Sequence, residues 1–224
     1  MNGKEEKKPL IVVNFKTYPQ ALGKKGVSLA RALASVKSKN FTIAVAPTLL
    51  TMKEITVLPI AVFAQHADPV RDGPHTGSVS VRELKKMKVK GVILNHSEQK
   101  IALPFLKQTI GLCRKEKLTT VVCASTLEEV KRIAPWKPDY IAYEPPELIG
   151  GEVSVTTAEP RIIGRAVKLM KHISPSTNVL CGAGVHTAED VRTASQLGCQ
   201  GVLVSHAIVN AKKPAEALRR ILST

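Results

Sequence analysis

Gly91-Val-Ile-Leu-Asn-His-Ser97 and Gly201-Val-Leu-Val-Ser-His-Ala207 read as one unit written twice. Each is a glycine, three consecutive apolar residues and then a polar pair ending in histidine. Continuous apolar runs of this length, bounded by turn formers, mark strands covered on both faces, as in parallel sheets. Working outward, six more such runs occur: Leu10–Asn14, Phe41–Ala46, Ile60–Gln65, Thr119–Cys123, Tyr140–Glu144 and Asn178–Gly182. With Gly91–Asn95 and Gly201–Ser205 they make eight strands.

Helical periodicity fills the gaps: Ala21–Val36, Val81–Met87, Phe105–Lys115, Leu127–Ile133, Pro160–His172, Ala188–Gln196 and Pro214–Leu222. The helix after Met52 is weak, because Pro59 closes it early. Thr156, Glu159 and Pro160 have the spacing of a capping box with proline in the first turn. Eight units over 224 residues leave 28 residues each, close to the least a βα unit can use. No linker or low-complexity stretch divides the chain. The reading is an α/β protein: one (β/α)8 barrel domain over residues 1–224, of which 1–8 are a polar extension. A doubly wound open sheet fits the pattern as well.

Composition narrows the class. Hydrophobic residues are 44% and charged residues 23%, as in globular domains. No apolar run approaches the ~18–20 residues of a membrane helix, and the opening Met1–Lys8 stretch lacks the apolar core of a secretory leader. No membrane association is expected. Cys113, Cys123, Cys181 and Cys199 show neither a C-x-x-C pair nor metal-ligand spacing. They read as reduced thiols acting as small hydrophobes, in a cytoplasmic protein. The net charge of +15 fits a solvated lysine-rich surface first and steering of a small anion second. The cations are dispersed along the chain without interleaved aromatics, so no nucleic-acid partner is expected.

In a (β/α)8 barrel, chemistry sits at the C-terminal ends of the strands. Those ends carry Lys16, His96, Glu144 and the loop Gly182-Ala183-Gly184. Lys16, directly after a strand, can project a fixed charge into the mouth. His96 opens the segment leading to the fourth helix, where the dipole favours a neutral imidazole able to donate to a carbonyl. Glu144 ends an apolar strand before two prolines, and a desolvated carboxylate there is a general-base candidate. Gly182-Ala183-Gly184 leaves backbone N–H groups open to a phosphate, and Leu148–Gly151 has the paired glycines of a lid. His66, His75, His172 and His186 form no metal set and receive no chemical role.

Together these pieces resemble the triosephosphate isomerase family in its short archaeal form. The likeness rests on Asn14-Phe-Lys16, Ala64-Gln65-His66, His75-Thr76-Gly77, Asn95-His-Ser-Glu98, Tyr143-Glu-Pro-Pro-Glu-Leu-Ile-Gly150, Cys181-Gly-Ala-Gly184, Glu189-Asp190-Val191 and Gly201-Val-Leu-Val204 with Ala211-Lys212. It implies a TIM barrel that interconverts glyceraldehyde 3-phosphate and dihydroxyacetone phosphate with no metal and no organic cofactor. It also implies Glu144 as the base, His96 as the neutral electrophile, and Lys16 with Asn14 holding substrate. Glu98 would pair within that network. Backbone groups at Ile149, Gly184, Ser205 and His206 would surround the phosphate, and the 145–153 loop would close over it. The family assembles as homo-oligomers; here a tetramer is expected ahead of a dimer, with Gly73–Gly77 reaching a neighbouring subunit.

Two departures stand out. Ile149-Gly150-Gly151-Glu152 replaces the commoner Ile-Gly-Thr-Gly, and Ser205-His206-Ala207 replaces Ala-Ser-Gly or Ala-Ser-Ala. A different phosphate-binding barrel enzyme, a basic barrel that binds nucleic acid, and a barrel disabled by His206 are the competing readings.

Overall fold

Eight short strands hydrogen-bond in parallel in chain order, and the last pairs with the first, closing a barrel. In the computed structural model, which describes residues 8–145 and 160–223, the strands are β1 (Leu10–Asn14), β2 (Thr42–Ala46), β3 (Ala61–Ala64), β4 (Gly91–Leu94), β5 (Thr119–Ala124), β6 (Tyr140–Tyr143), β7 (Asn178–Cys181) and β8 (Gly201–Val204). The helices between them are α1 (Gly23–Ala34), α2 (Leu49–Ile55), α3 (Val81–Lys86), α4 (Leu103–Lys115), α5 (Leu127–Ile133), α6 (Pro160–Ile173), α7 (Ala188–Gln196), α8 (His206–Val209) and α9 (Pro214–Ile221). The closed ring decides against the open sheet, because β1 pairs both Leu10 with Thr42 and Leu10 with Gly201.

The continuous apolar runs follow from this closure. Alternate strand residues point inward, where Leu10, Val12, Ala44, Phe63, Ile93, Val121, Tyr140, Leu180 and Leu203 fill the barrel. Their neighbours Ile11, Val13, Val45, Val92, Val122, Ile141 and Val202 pack outward against helix residues such as Leu33, Leu106, Ile133 and Leu218. With no wet face, polar alternation disappears. Closure also demands close approach. At Gly201 (φ +131°) a Cβ would stand 1.9 Å from the Leu10 carbonyl oxygen, so only glycine lets β8 lie against β1.

Boundaries differ from expectation in instructive ways. The first helix breaks at Leu22 into a 3-10 turn, Pro19–Ala21, and α1. The weak helix after Met52 forms as α2 because Thr51, Met52 and Ile55 are buried beneath it. Helix α8, unforeseen, buries Ile208 and Val209. Five predicted strands overrun by one residue at their C-terminal ends, at Gln65, Asn95, Glu144, Gly182 and Ser205. These residues stand just past the strand ends, where Glu144, Gly182 and Ser205 line the mouth. The capping box at Thr156–Glu159 lies outside the described residues. Among the described residues, no helix is long and apolar enough to cross a membrane.

Candidate active site

The strand ends open into a cavity of about 460 Å³ lined by Asn14, Lys16, Tyr18, His96, Ser97 and Glu144, and on the far side by residues 182–186 and 203–207. Each side chain is placed by a local backbone device. Lys16 adopts the left-handed region (φ 47°), a conformation that strains a residue with a Cβ by roughly 1–3 kcal/mol. Its backbone is clamped there: Lys16 N–H donates to Asn14 Oδ1 (3.0 Å), and Gln65 Nε2 donates to the carbonyls of Lys16 (3.1 Å) and Ala46 (2.9 Å). The ammonium then reaches Glu98 Oε1 at 2.7 Å, the pairing expected for Glu98.

His96 follows Asn95, which is also left-handed (φ 59°). Asn95 clips the β4 loop to its neighbour: its Nδ2 donates to the Cys123 carbonyl, and its Oδ1 accepts from Ile101 N–H. The Glu98 backbone N–H donates to His96 Nδ1 (3.2 Å), which puts the proton of the neutral ring on Nε2. That nitrogen stands 3.4 Å from Glu144 Oε1. Burial holds the imidazole well below its usual protonation range, with the Lys16 and Lys100 charges adding to the effect and Glu98 opposing it. The expected cause was a helix dipole. Helix α4 begins only at Leu103, so desolvation takes that role.

Glu144 is 2% exposed. Its N–H donates to the Ala124 carbonyl, and Pro145 follows directly. One carboxylate oxygen, Oε2, is buried without a hydrogen-bond partner among the described residues, as is Ser97 Oγ. Burial pushes the carboxyl up to about 7, against the pull of the Cys123 thiol and the Lys16 and Lys100 cations. Room for this side chain depends on Gly182, where a Cβ would lie 2.4 Å from Glu144 Cγ.

Opposite the acid–base pair, Gly184, Ser205 and His206 face the cavity. Ser205 Oγ donates to the Asn14 carbonyl (2.7 Å), tying β8 to β1. His206 opens α8 and its ring lies 6.2 Å from that of Tyr18, tilted by 59°. The histidine therefore turns toward the mouth, against an aromatic of the first loop, and not away from it. Ile149 and the proposed lid at 145–153 lie outside the described residues, apart from Pro145.

Several contributors to the site carry little signal in the sequence. Gln65 was visible only as part of a motif, and Tyr18 and Asn95 carried no separate signal. His186, given no role, lines the cavity while its N–H donates to Asp190 Oδ2. The Thr187–Asp190 capping box beside it went unnoticed. All four cysteines are buried and free, as small hydrophobes should be, although Cys123 sits against Glu144.

A buried carboxylate, an imidazole of lowered basicity and a clamped lysine around one small cavity in a (β/α)8 barrel make an arrangement able to move a proton on an anionic substrate. Comparison with known proteins agrees. The family profile described as triosephosphate isomerase matches residues 9–222. The triosephosphate isomerase of Methanocaldococcus jannaschii is 38% identical over 215 residues, covering 95% of this chain and 98% of its own length. The triosephosphate isomerase of Methanobrevibacter smithii is 38% identical over 217 residues (96% and 98%), and that of Methanothermus fervidus 35% over 218 (96% and 98%). The chain belongs to the triosephosphate isomerase family and is an isomerase of triose phosphates.

Proposed function

We propose that Glu144 is the base that carries a proton between the two carbons of the triose phosphate, with His96 and Lys16 as its partners. Ionised Glu144 takes the proton from the carbon beside the carbonyl, and the electron pair moves onto the carbonyl oxygen as an enediolate. His96 Nε2–H donates to that oxygen and relays protons between the two oxygens. The Lys16 ammonium and Asn14 stand against the developing negative charge. Glu144 then returns its proton to the neighbouring carbon, completing the aldose–ketose exchange. Backbone groups at Gly184, Ser205 and His206, together with Ile149, hold the phosphate.

The observation that carries this reading is the 3.4 Å approach of His96 Nε2 to Glu144 Oε1 inside the cavity that Lys16 also lines. A base raised to about 7 by burial is matched to proton abstraction near neutral pH. The test is kcat/KM for glyceraldehyde 3-phosphate, with Glu144→Gln assayed alongside. A native value near ~10⁸ M⁻¹s⁻¹ that collapses in the variant supports the assignment; equal activities refute it.

The same reading includes self-association, as a homotetramer ahead of a homodimer. Its support is exposed apolar surface at two places, Leu49, Leu50 and Val57 around α2 and Leu103 with Phe105 on α4, and the exposed Gly73–Gly77 loop. Light scattering at assay concentration tests it, and a fully active monomer at nanomolar concentration contradicts it. A cytoplasmic location belongs to this reading too, supported by the unpaired cysteines.

A further inference from the structure

The lysines that look dispersed in sequence are gathered by the fold. The segments 85–90, 114–117 and 137 lead into β4, β5 and β6, which are parallel neighbours, so all three emerge at the end of the barrel opposite the catalytic mouth. They carry eight of the chain's 33 basic residues, every one exposed, against Glu116 within them and the exposed Asp139 that follows Lys137. Hydrogen bonds join the loops edge to edge. Lys85 Nζ donates to the Lys117 carbonyl (3.3 Å), Arg114 Nη2 to the Lys137 carbonyl (2.9 Å), and Thr119 N–H to the Lys90 carbonyl (2.9 Å). Among the described residues none of the eight makes a salt bridge, whereas Lys16, Arg82, Lys100, Lys131, Arg192 and Lys213 all do.

Helix termini account for part of this. Lys85, Lys86, Arg114 and Lys115 occupy last turns, where a cation complements the dipole. Lys88, Lys117 and Lys137 lie beyond those turns, in left-handed backbone (φ 66°, 55° and 53°) where glycine or asparagine is the unstrained choice. The strands they lead into lie about 5 Å apart, and four-carbon stems let each ammonium find its own anionic group.

We propose that this arc binds the phosphate backbone of nucleic acid without sequence preference, an activity separate from isomerisation. A row of unpaired cations on loops braced against one another suits a regularly charged polymer. Among the described residues, the exposed large hydrophobics Leu22, Leu49, Leu50, Val57, Leu103 and Phe105 all lie outside the three segments, so the arc presents no exposed large hydrophobic to insert into a lipid surface. Dispersal along the sequence does not carry over to the fold, because topology decides which cations are neighbours.

Fluorescence anisotropy with a labelled 30-nucleotide single strand and a 30-base-pair duplex tests this on the full chain. The expected Kd is on the order of 1–100 µM at 0.15 M salt, with log K falling by about 4 per decade of salt if about five phosphates are neutralised. Lys88→Glu, Lys117→Glu and Lys137→Glu together should weaken binding at least about 10-fold. Isomerase kcat/KM should stay unchanged, since a strand's length, roughly 15 Å, separates the arc from the mouth. The triple Lys→Gln variant should fall between, and serves if charge reversal prevents folding. No binding at 0.15 M salt, or native-like binding by the triple variants, overturns the proposal. So does binding to phosphatidylserine vesicles or polyglutamate as tight as to the oligonucleotides.

Discussion

Glu144→Gln should make the protein slower and sturdier at once. Burial raises the Glu144 carboxyl from its usual 4.5 to about 7. Between those values the folded chain holds a proton that the unfolded chain has released, so stability falls as pH rises through that window. The penalty is absent below about 4.5 and complete above about 7, and at 1.36 kcal/mol per unit it reaches about 3 kcal/mol. Glutamine has nearly the same shape and cannot ionise, so it escapes the penalty. Part of the gain is offset where its amide N–H finds no acceptor, since the described residues leave Oε2 unpartnered. Relative to the native chain, the variant should gain up to about 3 kcal/mol between pH 4.5 and pH 8. For a chain of this size that is roughly 6–12 °C in Tm. Denaturation of both proteins at pH 5 and pH 8, at equal concentration, measures the difference. Meanwhile kcat should drop by about 10²–10⁴, the usual share of a general base. If the stability difference does not grow between pH 5 and pH 8, the carboxylate is not desolvated in the folded protein, and the elevated base must be abandoned.

Four further outcomes follow from the same geometry. The pH profile of kcat/KM should lose activity below about pH 7 as free-enzyme Glu144 protonates, and a flat profile down to pH 5 would refute this. Gly182→Ala places a Cβ 2.4 Å from Glu144 Cγ and 2.9 Å from the Tyr143 carbonyl; steady-state kinetics should show kcat down about 100-fold, since a 1 Å misplacement can cost that much. His206→Ser should keep kcat within a few-fold, because its ring touches Tyr18 and not the acid–base pair; a loss above ~100-fold, nearly 3 kcal/mol, would make it integral. Gly201→Ala drives a Cβ to 1.9 Å from the Leu10 carbonyl in backbone at φ +131°, and urea titration should find it destabilised by at least about 3 kcal/mol.

The strands, most helices and the chemistry of the mouth are legible in the chain itself. Burial on two faces writes unbroken apolar runs into the sequence, so β1 and α5 are located to the residue. Polar residues that end such runs stand out against them, which is why Lys16, His96 and Glu144 can be picked before any distance is known. The barrel's closure is less legible, because the β8–β1 pairing joins residues about as far apart as the chain allows. Helix α8 is too short to establish a period; its turn is closed by backbone hydrogen bonds to Ser205 and anchored by the buried Ile208 and Val209.

Composition and order are properties of the chain: which segments must hide from water, and which reactive groups stand at their ends. Tertiary structure alone decided everything that depends on two distant segments meeting. It brought His96 within 3.4 Å of a carboxylate 48 positions away, and it raised that carboxylate by removing its water. It held Lys16 in a strained turn through Gln65, and it turned His206 toward Tyr18. It also assembled an arc of lysines from three separate loops. The reason is physical: hydration, strain and Coulomb energy depend on distance in space, and separation along the chain sets that distance only for near neighbours.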